Sequence, residues 1–108
     1  APTMAQCTLD YYSKCWASIT IGPFVYGLAT HKWDKKEAIE AAYSNCGGKC
    51  TSSVWFLNTC GAVATADNGN WVFKAAKRSV GKVEKKALKA CSKSGNNCEI
   101  RVSACSLP

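Results

Sequence analysis

Cys15, Cys46 and Cys60 are each followed, 45 residues later, by another cysteine: Cys60, Cys91 and Cys105. A chain whose cysteines superpose on one another under a single shift is most economically two copies of one unit, and this limits what it can fold into. Copy one spans residues 15–59, copy two residues 60–105, and residues 1–14 form an N-terminal arm; the 108 residues together make one disulfide-rich domain.

The text of the two copies keeps the same order of signals. Each begins with a short alternating run, Trp16 to Ile21 or Gly61 to Ala66. A turn follows, Gly22-Pro23 or Asp67-Asn68-Gly69-Asn70, and then a second aromatic run, Phe24-Val25-Tyr26 or Trp71-Val72-Phe73. Strand, tight turn and strand is the reading such a pattern carries. A helix comes next. In copy one Asp34 is its N-cap with Glu37 three residues on, and Ala38, Ile39, Ala42, Tyr43 and Cys46 recur at helical spacing up to Gly47-Gly48. In copy two Ser79 caps a stripe of Val80, Val83, Ala87, Leu88 and Cys91, and Ser94-Gly95-Asn96-Asn97 stops it. A third strand closes each copy, Ser53 to Leu57 and Glu99 to Ala104. The expected fold class is therefore α+β: a duplicated β-β-α-β unit, with antiparallel strands in one sheet or two half-sheets and two helices packed on them.

Eight cysteines allow on the order of a hundred pairings, and the repeat narrows them. Cys46–Cys50 and Cys91–Cys98 join each helix end to the strand that follows. Cys60–Cys105 links equivalent positions and is expected to tie the two copies together, which leaves Cys7–Cys15 to fasten the arm. An even cysteine count in a chain that opens Ala1-Pro2 reads as a secreted protein whose signal peptide has been removed, working outside the cytosol or in a periplasm. The longest charge-free runs are too short, and too broken by Gly22-Pro23 and Gly27, to span a bilayer.

The net charge of +7 is unevenly placed. Residues 1–54 contribute +1 and residues 55–108 contribute +6, and from Lys74 to Lys93 eight basic residues face one acid, Glu84. Lys82, Lys85, Lys86, Lys89 and Lys93 fall opposite the apolar stripe of the second helix, with Lys74, Lys77 and Arg78 just before it. Such a face favours an anionic partner: a phospholipid surface or a cell-wall polyanion. A secreted location disfavours nucleic acid, although the aromatics would suit base stacking. The oligomeric state is not specified by these features.

Catalytic and metal chemistry find little footing. His31 is the one histidine and lies at a strand end with no motif around it. Of the seven carboxylates, Asp34 and Glu37 are used in capping and Glu40 shares their face, which leaves Asp10, Asp67, Glu84 and Glu99 with no evident pair. The Cys-x3-Cys and Cys-x6-Cys links differ from the spacing of zinc sites, and no cofactor or metal is expected. Trp16, Trp33, Trp55 and Trp71, with Tyr11, Tyr12, Tyr26 and Tyr43, exceed what a small core needs, so some should reach the surface; Trp33 precedes a cap and suits a hydrophobic staple.

The stretch AIEAAYSNCGGKCTSSVWFLNTCGAVATA, with CWASITI before it and the ALKAC helix end after it, resembles a small secreted cysteine-containing family, domain of unknown function 4189. The likeness covers about residues 15 to 105. Copy two departs from it where Asn96-Asn97 lengthens the link between cysteines and Ser103 stands in place of Trp55; Cys7 and Cys15 are additions to the common pattern. The resemblance implies secretion and duplication and transfers no catalytic residue. The reading that results is a secreted, non-enzymatic effector of killer-toxin-like or antimicrobial type, acting at an anionic membrane or cell wall through Lys74, Lys77, Arg78, Lys82, Lys85, Lys86, Lys89 and Lys93. The alternatives are a module that binds or inhibits an unidentified protein target, and a small secreted hydrolase.

Overall fold

The computed structural model describes Cys7, residues 14–76 and residues 78–108. Asp10, Tyr11 and Tyr12 of the arm, and Lys77, lie outside the described residues. The chain forms two compact units, one from residues up to Asn58 together with Ser106–Pro108, the other from Thr59–Cys105. The first contains β1 (Trp16–Gly22), β2 (Val25–Lys32), α1 (Lys35–Asn45) and β3 (Ser52–Leu57). The second contains β4 (Thr59–Thr65), β5 (Trp71–Ala75), α2 (Val80–Cys91) and β6 (Glu99–Ser106, its last residue counted with the first unit). Each sheet has three strands, in the orders β2-β1-β3 and β5-β4-β6. Both copies are therefore β-β-α-β, and the chain is α+β.

Alternation along β1 decides how the first unit is layered. Thr20 pairs with Gly27 on β2 and with Ser53 on β3, so these three share one face of the sheet. The buried Thr20 hydroxyl donates to the α1 carbonyl of Ala42 at 2.9 Å, which identifies that face as the one α1 covers. Helix and strand meet closely there. A Cβ added at Gly27 would collide with the Ala42 carbonyl, the Thr20 hydroxyl and the Cys46 amide. Ala38 and Ala42 are the fully buried side chains on α1, whereas Ile39 and Tyr43 of the expected stripe are half-buried. The other face of β1 carries Ala17, Ile19 and Ile21, all buried. Among the described residues three polar side chains are buried, and each has a partner: Thr20 as above, Ser18 donating to the Val54 carbonyl, and Ser106 accepting from the His31 amide.

The helix ends follow the capping residues. The Asp34 carboxylate accepts from the Glu37 amide at 2.7 Å, and the Ser79 hydroxyl accepts from the Lys82 amide at 3.4 Å. Gly47 and Gly48 take φ of 70° and 78°, the left-handed conformation that turns the chain out of α1 toward β3. On α2, Val83, Ala87 and Cys91 are buried and Leu88 is half-buried, but Val80 is 39% exposed. Val80 is the first residue of α2.

One turn differs from the sequence reading, and β2 carries a bulge. Gly22 pairs with Val25, so the β1–β2 turn is Pro23-Phe24 and β2 starts one residue later than the aromatic run suggests. Proline holds φ negative and Phe24 has φ 63°, which together define a type II turn. A bulky side chain in the left-handed region costs roughly 1–2 kcal/mol. Further along, Trp16 pairs with Lys32 but Ser18 with Ala29, so β2 places both Thr30 and His31 opposite Ala17. This bulge puts His31 at φ 59°.

The disulfides are Cys7–Cys15, Cys46–Cys50, Cys60–Cys105 and Cys91–Cys98, with no free cysteine among the described residues. The role expected for Cys60–Cys105 is corrected. Cys60 opens β4 and Cys105 lies near the end of β6, its neighbour in the same sheet, so the bond closes the second unit across two adjacent strands and does not join the copies. The repeat shift made the two cysteines look equivalent because it maps one copy's first cysteine onto the next.

Two substitutions test this packing. Gly27→Ala forces α1 away from β2 and should lower stability by about 1–3 kcal/mol in urea unfolding. Asp34→Ala removes a cap and should cost about 1 kcal/mol by the same measurement, with the disulfides unchanged.

Candidate functional site

The backbone geometry of α2 sorts its side chains by charge. At roughly 100° per residue, Lys82, Lys85, Lys86 and Lys89 fall within about a third of the helix circumference. All four are exposed. Val83, Ala87 and Cys91 point the other way and are buried, as the packing of α2 on β4 and β5 requires. Lys93 is exposed in the turn that ends the helix, Arg78 is exposed just before the Ser79 cap, and Lys74 is exposed on β5 opposite Ala62. Seven of the eight expected cations thus line the approach, outer face and exit of one helix; the eighth, Lys77, lies outside the described residues.

The arrangement works against the helix itself. Lys82 with Lys86, and Lys85 with Lys89, are like charges one turn apart, and each such pair destabilises by ~0.2–0.5 kcal/mol. The first turn holds no acid to balance the helix dipole and instead carries Lys82; Lys89 in the last turn is the one favourable placement. Glu84 is the only carboxylate on α2, and it does not neutralise this face. It is half-buried on the flank, where one of its oxygens accepts from the Ser103 hydroxyl of β6 at 2.6 Å. Counted from Cys98 as Trp55 is from Cys50, Ser103 stands in the strand position of Trp55, so this residue that departs from copy one is the one that holds Glu84.

The other sequence candidates have structural uses. His31 is tied on three sides. Its amide donates to Ser106 Oγ, its Nε2 lies 3.1 Å from the Leu107 carbonyl and its Nδ1 lies 2.9 Å from Thr30 Oγ1. Because a carbonyl only accepts, Nε2 carries the proton in that contact. His31 thus clasps residues 106 and 107 to the β2 bulge, the first through its backbone amide and the second through its ring. Asp67 accepts from the Asn97 side chain at 2.8 Å and braces the turn before β5. Glu37, Glu40 and Glu99 are exposed, and Asp10 lies outside the described residues. Among the described residues no three of His, Cys, Asp and Glu gather as metal ligands, and no helix is long and apolar enough to cross a membrane.

Among the described residues four aromatic side chains are exposed: Phe24 (93%), Tyr26, Trp33 and Trp55. Trp55 holds the Lys35 ammonium 4.5 Å from its ring centroid. The aromatic run Phe24-Val25-Tyr26 reads as strand, whereas Phe24 lies in the turn before it. The signal that places it outside is Pro23, which fits the first central position of a turn and so makes the next residue the second.

No curated protein and no solved structure is significantly similar to the chain. A family model does match, over residues 16–105, which takes in both β-β-α-β units and six of the eight cysteines. The chain belongs to the family described as Domain of unknown function (DUF4189).

Proposed function

We propose that the protein is a secreted, non-enzymatic effector of killer-toxin-like or antimicrobial type that docks on an anionic cell surface through the lysine face of α2. The observation that carries this is the exposed Lys82, Lys85, Lys86 and Lys89 face, whose only helical acid is turned aside to Ser103. Four disulfides support an oxidising compartment and hence secretion. A helix that keeps like charges together at a cost to its own stability has a use for them elsewhere. Each lysine near an anionic membrane adds ~1 kcal/mol of attraction, which salt screens. The apolar stripe of α2 belongs to the core, so this face docks without entering the surface it binds. Lys74, Arg78 and Lys93 extend the contact at either end of the helix.

A second reading has one observation in its favour. Trp33 and Trp55 are both about two-fifths exposed, as aromatic anchors of a protein-binding module would be.

Reversing Lys82, Lys85, Lys86 and Lys89 to Glu should leave circular dichroism and disulfide mapping unchanged and weaken binding to anionic cells or vesicles about a hundredfold or more. Wild-type binding should fall steeply as salt rises. Growth inhibition and leakage should be caused by the oxidised protein and not by a reduced, alkylated control. A protein-binding module would instead tolerate salt and charge reversal and lose its partner on Trp55→Ala; that result, or no effect on any cell, sinks the effector reading.

A further inference from the structure

The proposed docking face cannot penetrate a surface, because the apolar side of its helix is already buried. The tip of the β1–β2 hairpin is built differently. Phe24 is 93% exposed and stands at the second central position of a type II turn, with φ 63°. Glycine and asparagine suit that position; a benzyl side chain does not. The ring contributes nothing to the core, so local strain is kept in order to present an apolar group to the outside.

What surrounds the tip indicates the partner. Pro23 beside it is exposed and Tyr26, two residues on, is about half exposed. A Cβ on Gly22 would meet the backbone carbonyl of Lys49, so the Cys46–Cys50 loop lies against the base of the hairpin, and its one cation, Lys49, is exposed. Gly47 and Gly48 in that loop add no side chains. No Asp or Glu occurs between Tyr11 and Trp33 or between Ala41 and Ala66, so neither the hairpin nor the loop carries a negative charge to a surface. One protruding ring, a half-exposed tyrosine two residues on and an exposed lysine in the loop at the hairpin's base, with no acid, match the boundary between lipid headgroups and acyl chains. A protein partner would call for a broader apolar patch than one ring supplies.

We infer that the β1–β2 hairpin is an interfacial anchor whose Phe24 ring enters an anionic lipid bilayer while Lys49 stays among the phosphates. The inference rests on the anionic-surface reading above and names lipid as the source of that charge.

Three variants on vesicles separate the possibilities. The wild type should sediment with equimolar phosphatidylglycerol–phosphatidylcholine vesicles and only weakly with phosphatidylcholine alone. Phe24→Asn, which fits the left-handed turn, should be at least as stable in urea yet bind about tenfold or more weakly. Phe24→Trp should add an emission component that is quenched by acyl-brominated lipid. Equal binding by Phe24→Asn, with no such quenching, overturns the anchor and leaves α2 docking standing. Loss by Phe24→Asn with full binding by the α2 charge-reversed protein keeps the anchor and overturns α2 docking. If the wild type ignores both vesicles, the lipid anchor is overturned, and salt-sensitive retention on immobilised dextran sulfate then decides the α2 reading by itself.

Discussion

Everything in the first unit depends on how near α1 can come to its sheet. Gly27 lacks the Cβ that would strike the Ala42 carbonyl, the Thr20 hydroxyl donates to that same carbonyl, and Ala38 and Ala42 are the fully buried helical side chains. A three-stranded sheet under one helix has too little area to build a core from large side chains, so it gains density by bringing backbones together. Close approach then needs something to hold the helix end in place. Cys46, the C-cap of α1, is bonded to Cys50 just ahead of β3, and Cys91, the last residue of α2, to Cys98 just ahead of β6. Each staple sits where a fraying helix would otherwise lift away.

Much of this was legible in the sequence because the informative residues act locally. Asp34 and Ser79 cap by bonding within three residues of themselves, and Gly47-Gly48 stop α1 by their own backbone freedom. The duplication was legible from cysteine spacing, and it carried the β-β-α-β order with it. The misreadings came where the decisive partner is distant or where two local rules compete. Phe24 obeyed the aromatic-strand pattern, but Pro23 fixed the turn and pushed it outward. Val80 matched the helical stripe yet is 39% exposed at the first position of α2. The partner of Cys60 came from the shift, whereas its role came from which sheet β4 joins, and spacing does not contain that. Nothing near His31 in sequence announces that residues 106 and 107 return to it. The lysine face was readable from period alone, while the turning aside of Glu84 required knowing that Ser103 lies across from it.

The two copies have kept one scaffold and diverged on their surfaces. In α1 two lysines and two glutamates balance, and the exposed aromatics, Phe24, Tyr26, Trp33 and Trp55, all belong to the first unit. In α2 four lysines face one glutamate, and the strand position of Trp55 has become Ser103. Duplication permits this, since a fold repeated within one chain lets each copy specialise while both retain the capping, stapling and strand order that make them stable.

The path of the chain has a consequence for how it folds. The first unit is completed by Ser106 and Leu107 at His31, after an excursion through the whole of Thr59–Cys105. Closing a loop of that length costs about 4 kcal/mol of chain entropy if it is left open. Cys60 and Cys105, with Cα atoms 3.9 Å apart, pinch the excursion shut at its base. Once that bond forms, residue 106 emerges beside the point where the chain left, and only a few residues remain free between Asn58 and the clasp. Oxidation of one cysteine pair in the second unit thereby shortens the search that finishes the first. The covalent connectivity thus fixes where the chain returns to complete its first unit.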